Sequence, residues 1–158
     1  VSVDFQNGQQ VTLLNGVDVT GRLREEAVGK AASAVSKYAV VRKYVVRLQQ
    51  QIAKERSLLI DGRDIGTVVL PDAKVKIFLT ASAEDRAMRR YKQLLDAGKG
   101  ADYQKVLTDL KARDDQDQNR AVDPLRPADD AVILDTTGLS FEESLRKMLD
   151  IVNKAYEC

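Results

Sequence analysis

The stretch Leu58-Leu59-Ile60-Asp61-Gly62-Arg63-Asp64-Ile65-Gly66-Thr67-Val68-Val69 decides how the rest of the chain is read. Three apolar residues, too few for a helix, lead into two carboxylates and a guanidinium within four positions, and Gly62 and Gly66 mark a turn. The run predicts a short buried strand. In open α/β sheets ligands gather outside the carboxyl ends of the strands, so a strand that ends in charge marks a candidate site. A solvated β-turn carrying a surface Asp–Arg pair accounts for the same residues, and this stretch by itself does not separate the two readings.

Towards the C-terminus, Pro71-Asp72 makes a turn and Val75 to Leu79 forms a second predicted strand of high β propensity. Ser82 followed by Asp85 resembles a capping box and opens a helix that carries Arg86, Arg89 and Arg90 and stops near Gly98. A helix from Asp102, with Val106, Leu107 and Leu110 as its apolar stripe, runs into Arg113-Asp114-Asp115-Gln116-Asp117-Gln118-Asn119-Arg120. Pro124 and Pro127 then punctuate a loop. Ala131 to Thr136 is the last predicted strand, and Ser140 with Glu143 caps a final helix whose inner side is Leu145, Met148, Leu149 and Val152. Strands alternating with helices from Leu58 onward call for a parallel sheet.

On the N-terminal side the pattern differs. Val1, Val3 and Phe5 alternate with polar residues up to Asn7-Gly8, and a second run follows from Gln10 to Leu14. Asn-Gly between alternating runs predicts an antiparallel hairpin, because both central residues of a type I′ turn need positive φ. A valine already in strand pattern at position 1 suggests that residue 1 is not the natural start. Thr20 is the predicted N-cap of a helix to about Tyr38, and a second helix is predicted from about Val40 to Arg56.

Composition narrows the chemistry. The 158 residues carry 25 basic and 24 acidic side chains, a net charge of +1, which gives no bulk attraction to nucleic acid or to an anionic membrane. No apolar run approaches transmembrane length and no signal-peptide pattern is present, so the cytoplasm is the expected location. The single cysteine, Cys158, permits no intrachain disulfide. Histidine is absent, which excludes Ser-His-Asp and Cys-His nucleophilic machinery and histidine-based zinc sites. Any metal must be held by oxygen ligands, which points to Mg²⁺ or to no metal.

The run from Arg113 to Arg120 is dense in both signs. It reads either as an exposed helix end stitched by local ion pairs or as an anion clamp. In the second case arginine forks grip a phosphate bidentately while carboxylates orient them and accept from sugar hydroxyls.

Taken together, DGRDIGTVVLPDAKVKIFLTAS from Asp61 to Ser82, RDDQDQNR from Arg113 to Arg120, Asn15 to Thr20, Ala32 to Ser36, Val41-Arg42 and Pro124-Leu125 resemble bacterial cytidylate kinases, a branch of the nucleoside monophosphate kinases, in order and spacing. The resemblance covers essentially the whole chain. It implies an α/β fold, a P-loop-kinase-like parallel sheet with helices on both faces, plus a small antiparallel insert and a helical lid. Residues 1 to about 56 would be the monophosphate-binding insert, 57–84 and 121–158 the core, and 85–120 the lid.

The implied activity is transfer of the ATP γ-phosphoryl group to CMP or dCMP, with Mg²⁺. By the same resemblance Ser33, Arg42 and Asp64 read the cytosine, with Arg120 nearby. Cytosine shows an amino donor flanked by two acceptors, which a carboxylate and an arginine recognise from opposite sides, whereas uracil would turn an oxygen towards the carboxylate. Arg63 and Arg113 match residues that grip the monophosphate, and Asp117 one that accepts from the ribose. Asp61 matches a carboxylate that organises Mg²⁺ through water. Arg89 and Arg90 match lid arginines near the ATP phosphates. The implied partners are CMP or dCMP and ATP, with no nucleic acid and no membrane, and the intact enzyme is expected to be a monomer.

One departure matters. The family's chains open with a strand and a GxxxxGK[ST] P-loop, and nothing in this sequence matches that motif. Backbone amides and the lysine of that loop cradle the donor phosphates. The chain is therefore expected to be part of a longer kinase and catalytically incomplete by itself. Its strands at 58–60 and 75–79 would have open edges that favour instability or self-association. A CMP-binding module without turnover is the alternative reading.

Overall fold

The structure is a computed structural model that describes residues 1–55 and 57–157, with Glu26 described by its backbone alone. The chain falls into two compact units, Val1–Val45 and Val46–Cys158.

The first unit opens with a three-stranded antiparallel sheet in the order β1 (Ser2–Gln6), β2 (Gln9–Leu14) and β3 (Val17–Asp18). Asn7 and Gly8 have φ of 52° and 76°, and Asn15 and Gly16 have φ of 52° and 81°. Both two-residue connections therefore sit in the left-handed region that a type I′ turn demands, and the predicted hairpin is present with Val3 opposite Thr12. The predicted helix from Thr20 is corrected. Thr20–Arg22 is a single 3₁₀ turn, and helix α1 runs from Glu26 to Ser36. The Thr20 hydroxyl is engaged elsewhere: it accepts from the Thr12 amide of β2 at 2.8 Å, so it is not available to cap a helix. Helix α2, Ala39–Glu55, matches the expected span, except that its predicted end at Arg56 lies outside the described residues.

In the second unit β4 (Ile77–Thr80) pairs in parallel with β5 (Val132–Asp135), Ile77 opposite Val132 and Thr80 opposite Asp135. Three helices accompany them: α3 (Ala83–Asp96), α4 (Tyr103–Asn119) and α5 (Phe141–Tyr156). The N-terminal signals hold. Ser82 accepts from the Asp85 amide, Asp102 from the Lys105 amide, and Ser140 with Glu143 forms a reciprocal capping box. Helix α3 ends with Gly98 at φ 69°, the left-handed residue that commonly stops a helix. α3 and α4 form a hairpin, pinned by an edge-on contact of Tyr91 with Tyr103.

The predicted strand at Leu58–Ile60 is also corrected. These residues are irregular. Their inside–outside alternation survives, since Leu58 and Ile60 are half-buried and Leu59 is 86% exposed, yet no described strand hydrogen-bonds to them. Alternation selects which residues face inward, but a strand also needs a neighbouring ladder. β4 and β5 pair only with each other among the described residues, and Leu79 and Ile133 stay 53% and 62% exposed.

Candidate functional site

Downstream of Leu58–Ile60 the backbone does something the sequence pattern did not suggest. Ile65–Val69 forms one π-helical turn, with the Asp64 carbonyl accepting from the amides of Val68 (2.9 Å) and Val69 (3.3 Å), and the Ile65 carbonyl from Leu70 (2.7 Å). Such turns occur often at functional sites. Val69 is almost wholly buried. At the other end Ile65 folds over Gly62, so closely that a Cβ on Gly62 would lie 2.8 Å from the Ile65 side chain. Arg63 and Asp64 are thus presented from a short, fixed segment.

The other half of the site comes from the last two turns of α4 and from Arg120, which ends it. Residues 113, 117 and 120 recur at helical spacing, so they share one face. At its centre is Asp117, 6% exposed. Arg63 Nε donates to Asp117 Oδ2 at 3.0 Å; Arg120 lies 3.8 Å from Asp117 Oδ1 and Arg113 4.0 Å from Oδ2. Arg120 also lies 3.8 Å from Asp64. Three guanidinium groups therefore converge on two buried or half-buried carboxylates, leaving one net positive charge.

Past the helix end the chain turns back on itself. Asp123 has φ of 49°, the Leu125 amide donates to the Asp117 carbonyl at 2.8 Å, and the Asp123 carbonyl accepts from Arg120 Nε. The Arg120 side chain is only 10% exposed, and its buried Nη2 has no hydrogen-bond partner. A buried donor left without an acceptor is costly, and an entering anion would satisfy it. The arrangement suits a phosphate or carboxylate held by guanidinium forks.

Arg63, Asp64, Arg113, Asp117 and Arg120 are thus brought together. Asp61 is exposed at the entrance to the same segment. Arg89 and Arg90 are placed elsewhere in this unit. Arg89 donates to the carbonyl and hydroxyl of Thr136 at 2.6 and 3.3 Å and pairs with Asp85 at 2.5 Å, which ties α3 to the end of β5. Arg90 is exposed. Ser33 on α1 and Arg42 on α2 belong to the first unit, each half-buried.

Two positions escaped the sequence reading. Arg86, not Arg89 or Arg90, is the α3 arginine that clamps α4, through Asp114. Gln50 on α2 donates to the carbonyls of Val68 and Val69. Periodicity marks neither, because both act across more than one element.

The cytidylate kinase family model matches residues 1–154. Curated cytidylate kinases are similar throughout: the chain is 46% identical to that of Caldicellulosiruptor saccharolyticus over 98% of its own length and 68% of the relative's. It is 49% identical to that of Pasteurella multocida, over 94% and 65% respectively, and 48% identical to cytidylate kinase 1 of Haemophilus influenzae, over 94% and 64%. The chain thus spans about two-thirds of the length of these relatives. A family-model match over nearly the whole chain, with relatives 46–49% identical over almost all of it, places this chain in the cytidylate kinase family.

Proposed function

We propose that the protein is a nucleoside monophosphate kinase that transfers the γ-phosphoryl group of ATP to CMP or dCMP, giving CDP or dCDP. The observation that carries the reading is the convergence of Arg63, Arg113 and Arg120 on Asp117 beside Asp64. Such a cluster holds an acceptor phosphate by charge-assisted forks while a neighbouring carboxylate reads the base. Phosphoryl transfer depends mainly on positioning and on electrostatic stabilisation of the equatorial oxygens, which fixed guanidinium groups supply.

Asp117 would accept from the ribose once the phosphate engages Arg63. Asp64, Ser33 and Arg42 would read cytosine. The α3–α4 hairpin, within residues 85–120, would serve as the lid that excludes water, with Arg89 and Arg90 towards the ATP phosphates; residues 1–56 would be the monophosphate-binding insert, and 57–84 with 121–158 the core. No group of three or more metal-ligating side chains occurs among the described residues. The exposed Asp61 carboxylate would hold Mg²⁺ whose shell is completed by water and phosphate oxygens. When bound, the ion would neutralise charge between the ATP phosphates. No helix among the described residues is long and apolar enough to cross a membrane. The protein would act as a cytoplasmic monomer on small nucleotides. Residues 1–158 contain no GxxxxGK[ST] stretch, so transfer is proposed for the whole protein and CMP binding for this chain.

A coupled kinase assay on the intact protein, with CMP and UMP as acceptors, tests the reading. Wild type should phosphorylate CMP preferentially, and Asp64→Ala should lose about 1–3 kcal/mol of that preference. Unchanged selectivity would remove Asp64 from base reading, and no transfer to CMP would overturn the proposal.

A further inference from the structure

The site's two best-placed charges stand at one end of the π-helical turn, and the other end is held by a residue outside both sequence motifs. We infer that Gln50 is a positioning residue for the acceptor site, fixing Arg63 and Asp64 by holding the far end of the Ile65–Val69 turn; this rests on the functional reading above.

The last carbonyls of any helical turn lack donors within it. Here the Asp64 and Ile65 carbonyls are used inside the turn. The Val69 and Val68 carbonyls instead accept from the Gln50 side-chain amide, at 3.2 and 3.4 Å. A single short turn has few internal degrees of freedom, so a shift at Val68–Val69 is passed to Asp64, which caps it. Arg63 and Asp64 must meet Asp117 and Arg120 at 3.0 and 3.8 Å, and small displacements of positioned groups degrade binding steeply. Lys76 offers a built-in control. Its stem packs beneath Gly66, while its ammonium bonds the Pro71 carbonyl and Asp130, away from Arg63 and Asp64.

The test compares Gln50→Ala, Gln50→Glu and Lys76→Met in the intact protein, by steady-state kinetics, by calorimetric titration with CMP and by thermal denaturation. Gln50→Ala should raise the KM and Kd for CMP about tenfold and leave the KM for ATP within about twofold. Gln50→Glu places a carboxyl against two carbonyl oxygens. Ionised it has no proton to donate, and protonated it regains one. Its CMP affinity relative to wild type should therefore improve as pH falls from about 8 to about 6. Lys76→Met keeps the stem but loses the ammonium, so it should lower Tm without changing the KM for CMP. Equal changes in the CMP and ATP constants of Gln50→Ala, or no change in either, would overturn the inference while leaving the kinase reading intact. A wild-type protein that neither binds nor phosphorylates CMP would overturn both, and is recognised without any variant.

Discussion

Arg86 and Asp114 meet fork to fork across the α3–α4 hairpin, Nη1 to Oδ1 at 3.0 Å and Nη2 to Oδ2 at 2.6 Å, while Arg86 Nε donates to the Ala81 carbonyl at 3.0 Å. The hydrogen-bonded carboxylate raises the guanidinium pKa above its ordinary value, against the opposing effect of burial. One side chain thus joins the end of β4, the start of α3 and the C-terminal half of α4. Lysine keeps the charge but cannot reproduce the planar fork. Arg86→Lys should cost about 1–2 kcal/mol of stability, after discounting for partial exposure. Urea denaturation measures it, and a loss below about 0.3 kcal/mol would show the clamp to be idle.

Asp117 acts as an internal anion among three arginines. Replacing it with asparagine leaves those guanidinium groups facing one another with less compensation. Asp117→Asn should lose about 1–3 kcal/mol of stability, toward the lower side because Arg63 and Arg113 are exposed. Inorganic phosphate should then raise the Tm of the variant by more than it raises that of wild type. An equal or smaller phosphate effect would mean that the carboxylate does not stand in for an anionic ligand.

Gly62 is the second residue of Asp61-Gly62-Arg63-Asp64 and its φ lies outside the left-handed region. Its requirement is space: an added Cβ would meet Ile65 Cγ1 at 2.8 Å and Cδ1 at 2.9 Å. Ile65 would have to move, and it opens the turn that carries Asp64. Gly62→Ala should cost about 1–3 kcal/mol and weaken CMP binding, whereas Gly66→Ala, 3.3 Å from a flexible lysine stem, should be milder. Calorimetry on both variants decides it, and the reverse order would be incompatible with this packing.

Acid should destabilise the fold. Asp18 is held below its ordinary value of 3.8 by Thr20, Asp130 by Lys76 and Asp135 by Thr137. Glu84 is held below 4.5 by Lys111, and Glu143 by the Ser140 amide in the capping box. For each, the unfolded chain binds a proton more readily than the folded one. Their stabilisation is complete above those ordinary values and is lost as pH falls through the lower folded ones. All five lie at the surface, so each effect is small and salt-screened. Thermal scans should show a Tm nearly level from about pH 5.5 to 7.5 and falling below about pH 4. A Tm that rises between about pH 5 and 3.5 would contradict these pairings.

What was legible in the sequence was local. Asn7-Gly8 needs positive φ at both positions, and Ser140 with Glu143 closes a ring of two hydrogen bonds within four residues, so both could be read without a structure. Arg113, Asp117 and Arg120 share a face by helical spacing alone. The misses were decided at a distance. Thr20 has the chemistry of an N-cap, but β2 takes its hydroxyl. Leu58–Ile60 is the apolar run of a short buried strand, but no described neighbour supplies a ladder. The carbonyls that end the π-helical turn are met by Gln50, fifteen residues before Ile65 begins it.

The nest of arginines around Asp117 has a final consequence for titration. Guanidinium groups keep their protons throughout the neutral range, and this sequence has no histidine to intervene. A phosphate monoester, by contrast, sheds its second proton near about pH 6. Mild acidification therefore lowers the negative charge that such a monoester brings to the guanidinium forks.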